Sequence, residues 1–186
     1  AAGVDVQTPD LTAPDFSTLT ISRMLGQVRD AIAQLPPGPV VLIGSSLGGF
    51  AAVETAARHR VDRVVLLAPA LDFSAERVDD LGDRSLDAWR ATDRLDVFHS
   101  GYGRVLPVHY ELFADAQNYQ PLSIRLDVPV LVFQGRLDTA VDPLTVERWT
   151  TAQPKGTLHL FDDDHRLHAS LDAIWTETAR FLGVRP

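Results

Sequence analysis

The feature that most constrains this chain is an apolar run that leads into a turn rich in glycine and serine, residues 40–50, VVLIGSSLGGF. Its β-branched residues predict a strand, and the small residues after the turn predict a helix. A strand, a G-x-S-x-G turn and a helix in this order are typical of a turn that presents a nucleophilic serine, here Ser46. We expect Gly44 and Gly48 to be required, because side chains there would collide where strand and helix approach closely. The backbone N–H of Leu47 would then face an oxyanion forming beside Ser46.

Strands and helices alternate through short loops over most of the chain. The residue patterns predict strands at 4–7, from 40 into the turn, and at 61–68, 128–134 and 157–161. Helices are predicted at 20–35, 47–58, from Asp142 onward and around 171–182. This alternation predicts a single α/β domain, residues 1–186, with a mostly parallel sheet flanked by helices. Ligands of such sheets bind at the carboxyl ends of the strands.

The segment 71–127 interrupts this alternation. It carries several charges, two predicted helices at 85–92 and 108–116, and no second strong strand. We therefore expect a helical insert within the α/β domain.

Composition bears on partners and location. The net charge of −8 disfavours nucleic acid and anionic membranes as partners, and no apolar run is long enough to span a bilayer. The chain has no cysteine, which excludes disulfides, thiol chemistry and cysteine metal ligands. Without cysteine or a signal-peptide pattern, a cytoplasmic location is expected.

Three side chains provide the residue types that nucleophilic catalysis by serine requires. Acyl transfer needs a base that takes the hydroxyl proton and an acid that orients the base. Asp138 and His165 follow Ser46 in that order, each just after the carboxyl end of a predicted strand. Asp142 is the alternative acid, although its place before a proline is explained by a helix N-cap. His168 is the alternative base, although it lies farther from the strand end.

An acidic run at 162–164 lies beside both histidines and resembles a set of metal ligands. It lacks the spacing of a motif such as H-E-x-x-H. We therefore expect a solvated acidic loop and no metal site.

On these residues the chain resembles the α/β-hydrolase superfamily, and within it the small YqiA-like serine esterases. The resemblance is carried by GSSLGGF at 44–50, GRLDTAVDP at 135–143 and DHRL at 164–167. It covers the chain from about residue 40 to its end. The insert 71–127 is matched only by its position.

The resemblance also implies roles for individual residues. Ser46 would be the nucleophile, Asp138 the orienting acid and His165 the general base. The insert falls where such enzymes carry a cap over the active site. Its candidate substrate-binding residues, each with a place in a helical core as the alternative, are Tyr102, His109, Tyr110 and Phe113.

The chain departs from this family pattern near its start. Relatives carry a His-Gly segment whose backbone N–H completes the oxyanion hole, and no His-Gly dipeptide occurs here. The opening GVDVQTPDL resembles the strand that comes after that segment in relatives, so we expect an early strand, its loop and a helix to be absent. An absent strand would expose a sheet edge or an apolar helix surface, which favours a homo-oligomer.

These observations together predict a hydrolase of small-molecule carboxylic esters that needs no cofactor. A short acyl chain is expected from the compact domain and the modest insert. One alternative keeps the triad in a thioesterase, amidase or acyltransferase. The other is a non-catalytic α/β-hydrolase-like binding protein.

Overall fold

The computed structural model describes residues 4–74, 86–99 and 102–184. In that part of the chain the helices are α1 Ile21–Ala33, α2 Leu47–Ala56, α3 Leu86–Thr92, α4 Glu111–Ala116, α5 Pro143–Thr151 and α6 Leu171–Leu182. The strands are β1 Val41–Ser45, β2 Arg63–Leu67, β3 Leu95–His99, β4 Arg104–Val108, β5 Val130–Gly135 and β6 Gly156–Phe161.

Four of these strands form one parallel sheet in the order β1-β2-β5-β6. The register places Leu66 of β2 between Gly44 of β1 and Val132 of β5. Helix α2 connects β1 to β2, and α5 connects β5 to β6. The prediction of a mostly parallel α/β sheet flanked by helices is therefore confirmed.

Both faces of the sheet are covered, because successive strand residues point to opposite sides. On one face Val132 belongs to a buried cluster with Trp149 of α5. On the other face Phe133 belongs to a cluster with Ile174 of α6. Strand β5 is buried along its whole length, as is typical of a central parallel strand. The buried carboxyl end of β5 therefore fixes the position of the loop that follows this strand.

The insert 71–127 contains α3 and α4, which fall in the two predicted helical segments, and also a hairpin, so the expectation that it holds no strong strand is wrong. Strands β3 and β4 pair antiparallel, with Leu95 opposite Val108 and Phe98 opposite Val105. The second strand contains Pro107, and a proline argues against a strand when the sequence alone is available. Residues 75–85, which include the start of the predicted helix at 85–92, lie outside the described residues.

A separate core joins the insert to the rest of the domain. Ile21 and Met24 of α1, Phe50 of α2, Trp89 of α3 and Leu112 of α4 are all buried in it. Because Phe50 lies in the first turn of α2, this core holds the insert beside the turn that contains Ser46.

The strand predicted at 4–7 is not formed. Val4 and Val6 are 54% and 72% exposed. A strand is stable only when it is paired with a neighbour, and within the described residues β1 pairs with β2 alone.

Every helix of the described residues is too short or too polar to cross a membrane.

Candidate active site

The turn between β1 and α2 holds Ser46 in a backbone conformation that few residues other than glycine adopt. Its φ is 51° and its ψ is −120°. The N–H of Ser46 donates to the carbonyl of Leu67 at 2.9 Å, and its carbonyl accepts from the N–H of Ala70 at 3.1 Å. These bonds to the end of β2 hold a strained residue in place, as is common at functional sites.

The glycines around Ser46 have unequal steric roles. A Cβ on Gly44 would overlap the carbonyl of Gly48, which confirms the expected need for glycine at 44. A Cβ on Gly48 would meet nothing within 4 Å, so the expected collision at 48 is wrong. The close approach falls instead on Gly49, where a Cβ would lie 2.7 Å from Cβ of Pro69. Packing between α2 and the end of β2 therefore depends on Gly49.

Ser46, His165 and Asp138 come together at the carboxyl edge of the sheet. Nε2 of His165 lies 3.1 Å from Oγ of Ser46. Nδ1 of His165 lies 2.8 Å from Oδ2 of Asp138. The Asp138 side chain is fully buried, and the imidazole is 29% exposed. The three side chains thus form one hydrogen-bonded chain from the buried carboxylate to the hydroxyl.

Asp138 accepts hydrogen bonds at both carboxylate oxygens. The backbone N–H groups of Ala140 and Val141 donate to Oδ1, each at 2.9 Å. The Gln134 amide donates to Oδ2 at 2.8 Å, beside the bond from His165. Burial raises the pKa of Asp138. The hydrogen bonds from His165, Val141 and Gln134 together lower it by more than burial raises it, so the pKa lies below its usual value. The carboxyl is therefore ionised at neutral pH and can only accept from the imidazole.

The acidic loop that carries His165 differs from the expected solvated loop, because its middle residue is buried. Asp163 is 8% exposed and accepts hydrogen bonds from the Ser170 hydroxyl at 2.8 Å and the Asp164 N–H at 2.8 Å. Burial raises the pKa of Asp163. The hydrogen bonds to its carboxylate, of which the one from Ser170 has the largest effect, lower the pKa below its usual value. Asp163 therefore shapes the loop rather than being merely solvated.

The strand end and the histidine loop approach each other closely. A Cβ on Gly135, the last residue of β5, would overlap the carbonyl of Asp163. The carbonyl of Asp163 also accepts from the N–H of Leu137 at 3.0 Å. Among the described residues, no cluster of three or more His, Asp or Glu side chains could hold a metal ion.

The two alternative residues lie elsewhere. Asp142 is the N-cap of α5, and its carboxylate accepts from the N–H of Leu144 and the hydroxyl of Thr145. His168 is exposed at the start of a short 3₁₀ helix before α6. The geometry therefore places Asp138 and His165 with Ser46, and leaves Asp142 and His168 in local roles.

Leu47 is the first residue of α2, directly after Ser46. The first N–H groups of a helix have no acceptor within the helix and carry its partial positive charge. The N–H of Leu47 is therefore suited to bind an oxyanion that forms next to Ser46.

A cavity of about 570 Å³ adjoins this cluster, with Ser46 and His165 among its lining residues. Its walls are mostly apolar and come from α1, α2, α3, α4, the hairpin and the loops around them. The four substrate-binding residues predicted from the sequence are not part of this lining.

The side chains of those four residues contact other side chains of the protein instead. The Tyr102 ring contacts the His99 ring at a tilt, and Nδ1 of His109 lies 3.0 Å from Asp93. The Tyr110 hydroxyl accepts from the Arg90 guanidinium, and Phe113 is buried against Phe73 and Trp89. Other residues of the insert, among them Trp89, Val97 and Leu112, line the cavity.

Gln134 and Asp163 were not identified from the sequence. Gln134 had a visible signal, because it is a polar residue at the end of the otherwise apolar run 128–134. Asp163 had none, since its neighbours in the run are the same residue type and only the fold decides which one is buried.

Solved structures with the same fold include several proteins named as hydrolases. Est1E from Butyrivibrio proteoclasticus, solved with ferulic acid bound, has a TM-score of 0.75 at 21% identity, over 90% of this chain and 69% of that chain. Alpha/beta hydrolase domain-containing protein 10 from mouse has a TM-score of 0.71 at 18% identity, over 97% and 74%. A provisionally named hydrolase from Agrobacterium vitis S4 has a TM-score of 0.70 at 27% identity, over 87% and 68%.

These likenesses establish an α/β-hydrolase-like fold. A comparison with curated proteins gives no match. At the level of sequence, residues 1–176 match the profile of UPF0227, described as an uncharacterised protein family. The chain therefore belongs to the UPF0227 family.

Proposed function

We propose that this protein is a serine hydrolase of carboxylic esters, with Ser46 as nucleophile, His165 as general base and Asp138 as the acid that orients it. The observation that carries the proposal is the position of His165, whose two ring nitrogens lie 3.1 Å from Ser46 Oγ and 2.8 Å from Asp138 Oδ2. A neutral imidazole that donates from Nδ1 to the ionised Asp138 must accept at Nε2. Nε2 is then the atom that takes the Ser46 proton.

In the first half of the reaction, Oγ of Ser46 attacks the ester carbonyl carbon while its proton moves to Nε2 of His165. The carbonyl oxygen becomes an oxyanion, which accepts a hydrogen bond from the N–H of Leu47. The carbon–oxygen bond to the alcohol then breaks. The imidazolium returns its proton to the alkoxide, so that the alcohol leaves and an acyl-serine remains.

In the second half, a water molecule takes the place of the alcohol. His165 accepts one of its protons, and the resulting hydroxide attacks the acyl carbon. When the bond to Ser46 Oγ breaks, the imidazolium returns the proton to the serine. The carboxylic acid is released, and the site needs no cofactor for any of these transfers.

Two features of the comparisons support this proposal. The fold neighbours include proteins named as hydrolases, and one neighbour, Est1E, was solved with ferulic acid, a small carboxylic acid. The proposal therefore includes a small-molecule substrate.

The proposal is tested by labelling with a fluorophosphonate probe, which reacts with an activated serine whatever the natural substrate is. We expect rapid modification that peptide mapping places on Ser46 and that Ser46→Ala abolishes. Ser45→Ala is the matched control, because Ser45 is the exposed residue directly before Ser46, at the end of β1. Folded protein that stays unlabelled, or label that persists in Ser46→Ala, would refute the assignment.

A further inference from the structure

Building on the proposed function, we propose that the cavity beside Ser46 binds the acyl part of the ester and selects large, uncharged, apolar acyl groups. The cavity has a volume of about 570 Å³. That volume lies within the range of roughly 300–1,000 Å³ that is common for sites of drug-sized ligands. An acetyl group, the smallest case of the short acyl chain expected from the sequence, would leave most of it empty.

The walls determine the chemistry of the occupant. Buried apolar side chains come from separate elements, among them Met24 of α1, Trp89 of α3, Val108 of β4 and Leu112 of α4. The indole N–H of Trp89 donates to the carbonyl of Val108 at 3.0 Å, so the ring presents apolar surface to the cavity. Binding of a hydrocarbon group to such walls is favourable, because it removes apolar surface from water. A polar group that finds no hydrogen-bond partner there does not gain this stabilisation.

The polar residues of the lining argue against a charged acyl group. They are Thr12, Asp72 and the reacting pair Ser46 and His165, and no lysine or arginine is among the described lining residues. The Thr12 hydroxyl already donates to Asp10 at 2.6 Å. A carboxylate on the acyl group would therefore meet no lysine or arginine among the described lining residues and would approach Asp72, which makes its desolvation unfavourable.

The order of the two reaction steps assigns the cavity to the acyl group rather than to the alcohol. The alcohol must leave before water can approach the acyl carbon, whereas the acyl group stays bonded to Ser46 through both steps. Leu47 and Gly48, which come directly after Ser46, also line the cavity. A group bonded to Ser46 Oγ therefore has apolar wall on the same side as the oxyanion donor.

The first test compares p-nitrophenyl acetate, butyrate and octanoate with the wild-type protein. Burial of one methylene corresponds to about a fourfold change, so we expect kcat/KM to rise by at least about 100-fold from acetate to octanoate. Ethyl octanoate and octyl acetate are isomers that place the same chain on opposite sides of the ester. We expect ethyl octanoate to be hydrolysed faster.

The second test fills the cavity from the hairpin. Val97 lines the cavity, whereas Val105 lies on the outer face of the same hairpin and is 57% exposed. We expect Val97→Phe to lower kcat/KM for the octanoate ester by about 10-fold or more while the acetate ester changes by less than about twofold. Val105→Phe, the same substitution outside the cavity, should leave both values unchanged.

Labelling of Ser46 by the fluorophosphonate probe separates failure of this inference from failure of the proposed function. If Ser46 is labelled but acetate is the best ester, or octyl acetate the better isomer, the acyl assignment is overturned and the hydrolase stands. Equal effects of Val97→Phe on both esters would also overturn it. If folded protein is neither labelled nor able to hydrolyse any ester, the proposed function fails and this inference fails with it.

Discussion

At the scale of single residues, two aspartates of one loop have separable roles. Asp138 holds the imidazole of His165, whereas Asp142 caps α5. We expect Asp138→Asn to lower kcat by about 10⁴-fold, because an asparagine stabilises the wrong imidazole tautomer. Asp142→Ala should keep kcat but lower the free energy of unfolding by about 1 kcal/mol through loss of the cap. Ester hydrolysis and urea unfolding of both variants measure the two effects.

A reversed pattern, with activity lost in Asp142→Ala and retained in Asp138→Asn, would refute the assignment of the acid. Both variants leave the sheet intact, since each side chain lies beyond the end of β5.

The hydrogen bond from Gln134 to Asp138 predicts a pH dependence of stability. The pKa of Asp138 is lowered in the folded protein, so its stabilising contribution is complete above its ordinary pKa of about 3.9 and is lost as the pH falls through the lower folded value. Gln134→Met removes one bond that lowers this pKa. When the pH is lowered from 7 to below the folded pKa of Asp138, we expect the free energy of unfolding to fall by about 1 kcal/mol less in the variant than in wild type.

Urea unfolding at several pH values below neutrality measures this difference. Gln134 is fully buried, so the substitution also changes packing, but that effect is the same at every pH. Parallel curves for the two proteins would show that the bond does not control the Asp138 pKa.

The catalytic candidates could be predicted because each depends on local chain features. Ser46, Asp138 and His165 each come just after the carboxyl end of a strand that its own residues reveal. The cavity could not be predicted in the same way, because its walls come from elements far apart in the chain. Met24 and Leu112, for example, are typical helix-core residues in the sequence, and only the packing of α1 near α4 brings them to one cavity.

At the scale of elements, the junction of β1 and α2 predicts opposite effects for two neighbouring glycines. Gly49→Ala would press a Cβ against Pro69, and we expect it to lower the free energy of unfolding by about 1–3 kcal/mol. At Gly48, which is helical, an added Cβ has no atom within 4 Å, so we expect Gly48→Ala to raise the free energy of unfolding by about 0.5–1 kcal/mol. Thermal and urea unfolding of the pair measure both signs. Equal destabilisation by the two variants would contradict the packing described for Gly49.

The elements also show where local patterns were insufficient. The sequence predicts a short strand at 4–7 before a turn, but this segment has no paired neighbour among the described residues. The hairpin was missed because Pro107 and short, mixed segments obscure its alternation, although cross-strand pairs such as Val97 with Leu106 stabilise it. Both errors concern pairing with a partner, which a local pattern does not contain.

At the scale of the whole molecule, the sheet ends in an edge that carries an exposed apolar residue. Within the described residues β1 pairs only with β2, and Ile43 of β1 is 59% exposed. Open edges and exposed apolar side chains favour association between chains. We therefore expect self-association in solution, and we expect Ile43→Lys to weaken it.

Sedimentation equilibrium over a range of protein concentrations measures this association. Leu144→Lys is the control, because Leu144 is 63% exposed on α5, at a distance from the β1 edge. A wild-type protein that stays monomeric at high concentration, or equal weakening by both variants, would count against an interface at β1.

The backbone at Ser46 sets the needs of the reaction against those of folding. Glycine adopts a φ of 51° without steric cost, so Ser46→Gly would remove the nucleophile and relieve strain in the same step. Selection for stable folding alone, without selection for the hydrolytic step, would thus favour glycine over serine here. In laboratory evolution, the fate of this codon would report whether the reaction is still being selected, even when its substrate is unknown.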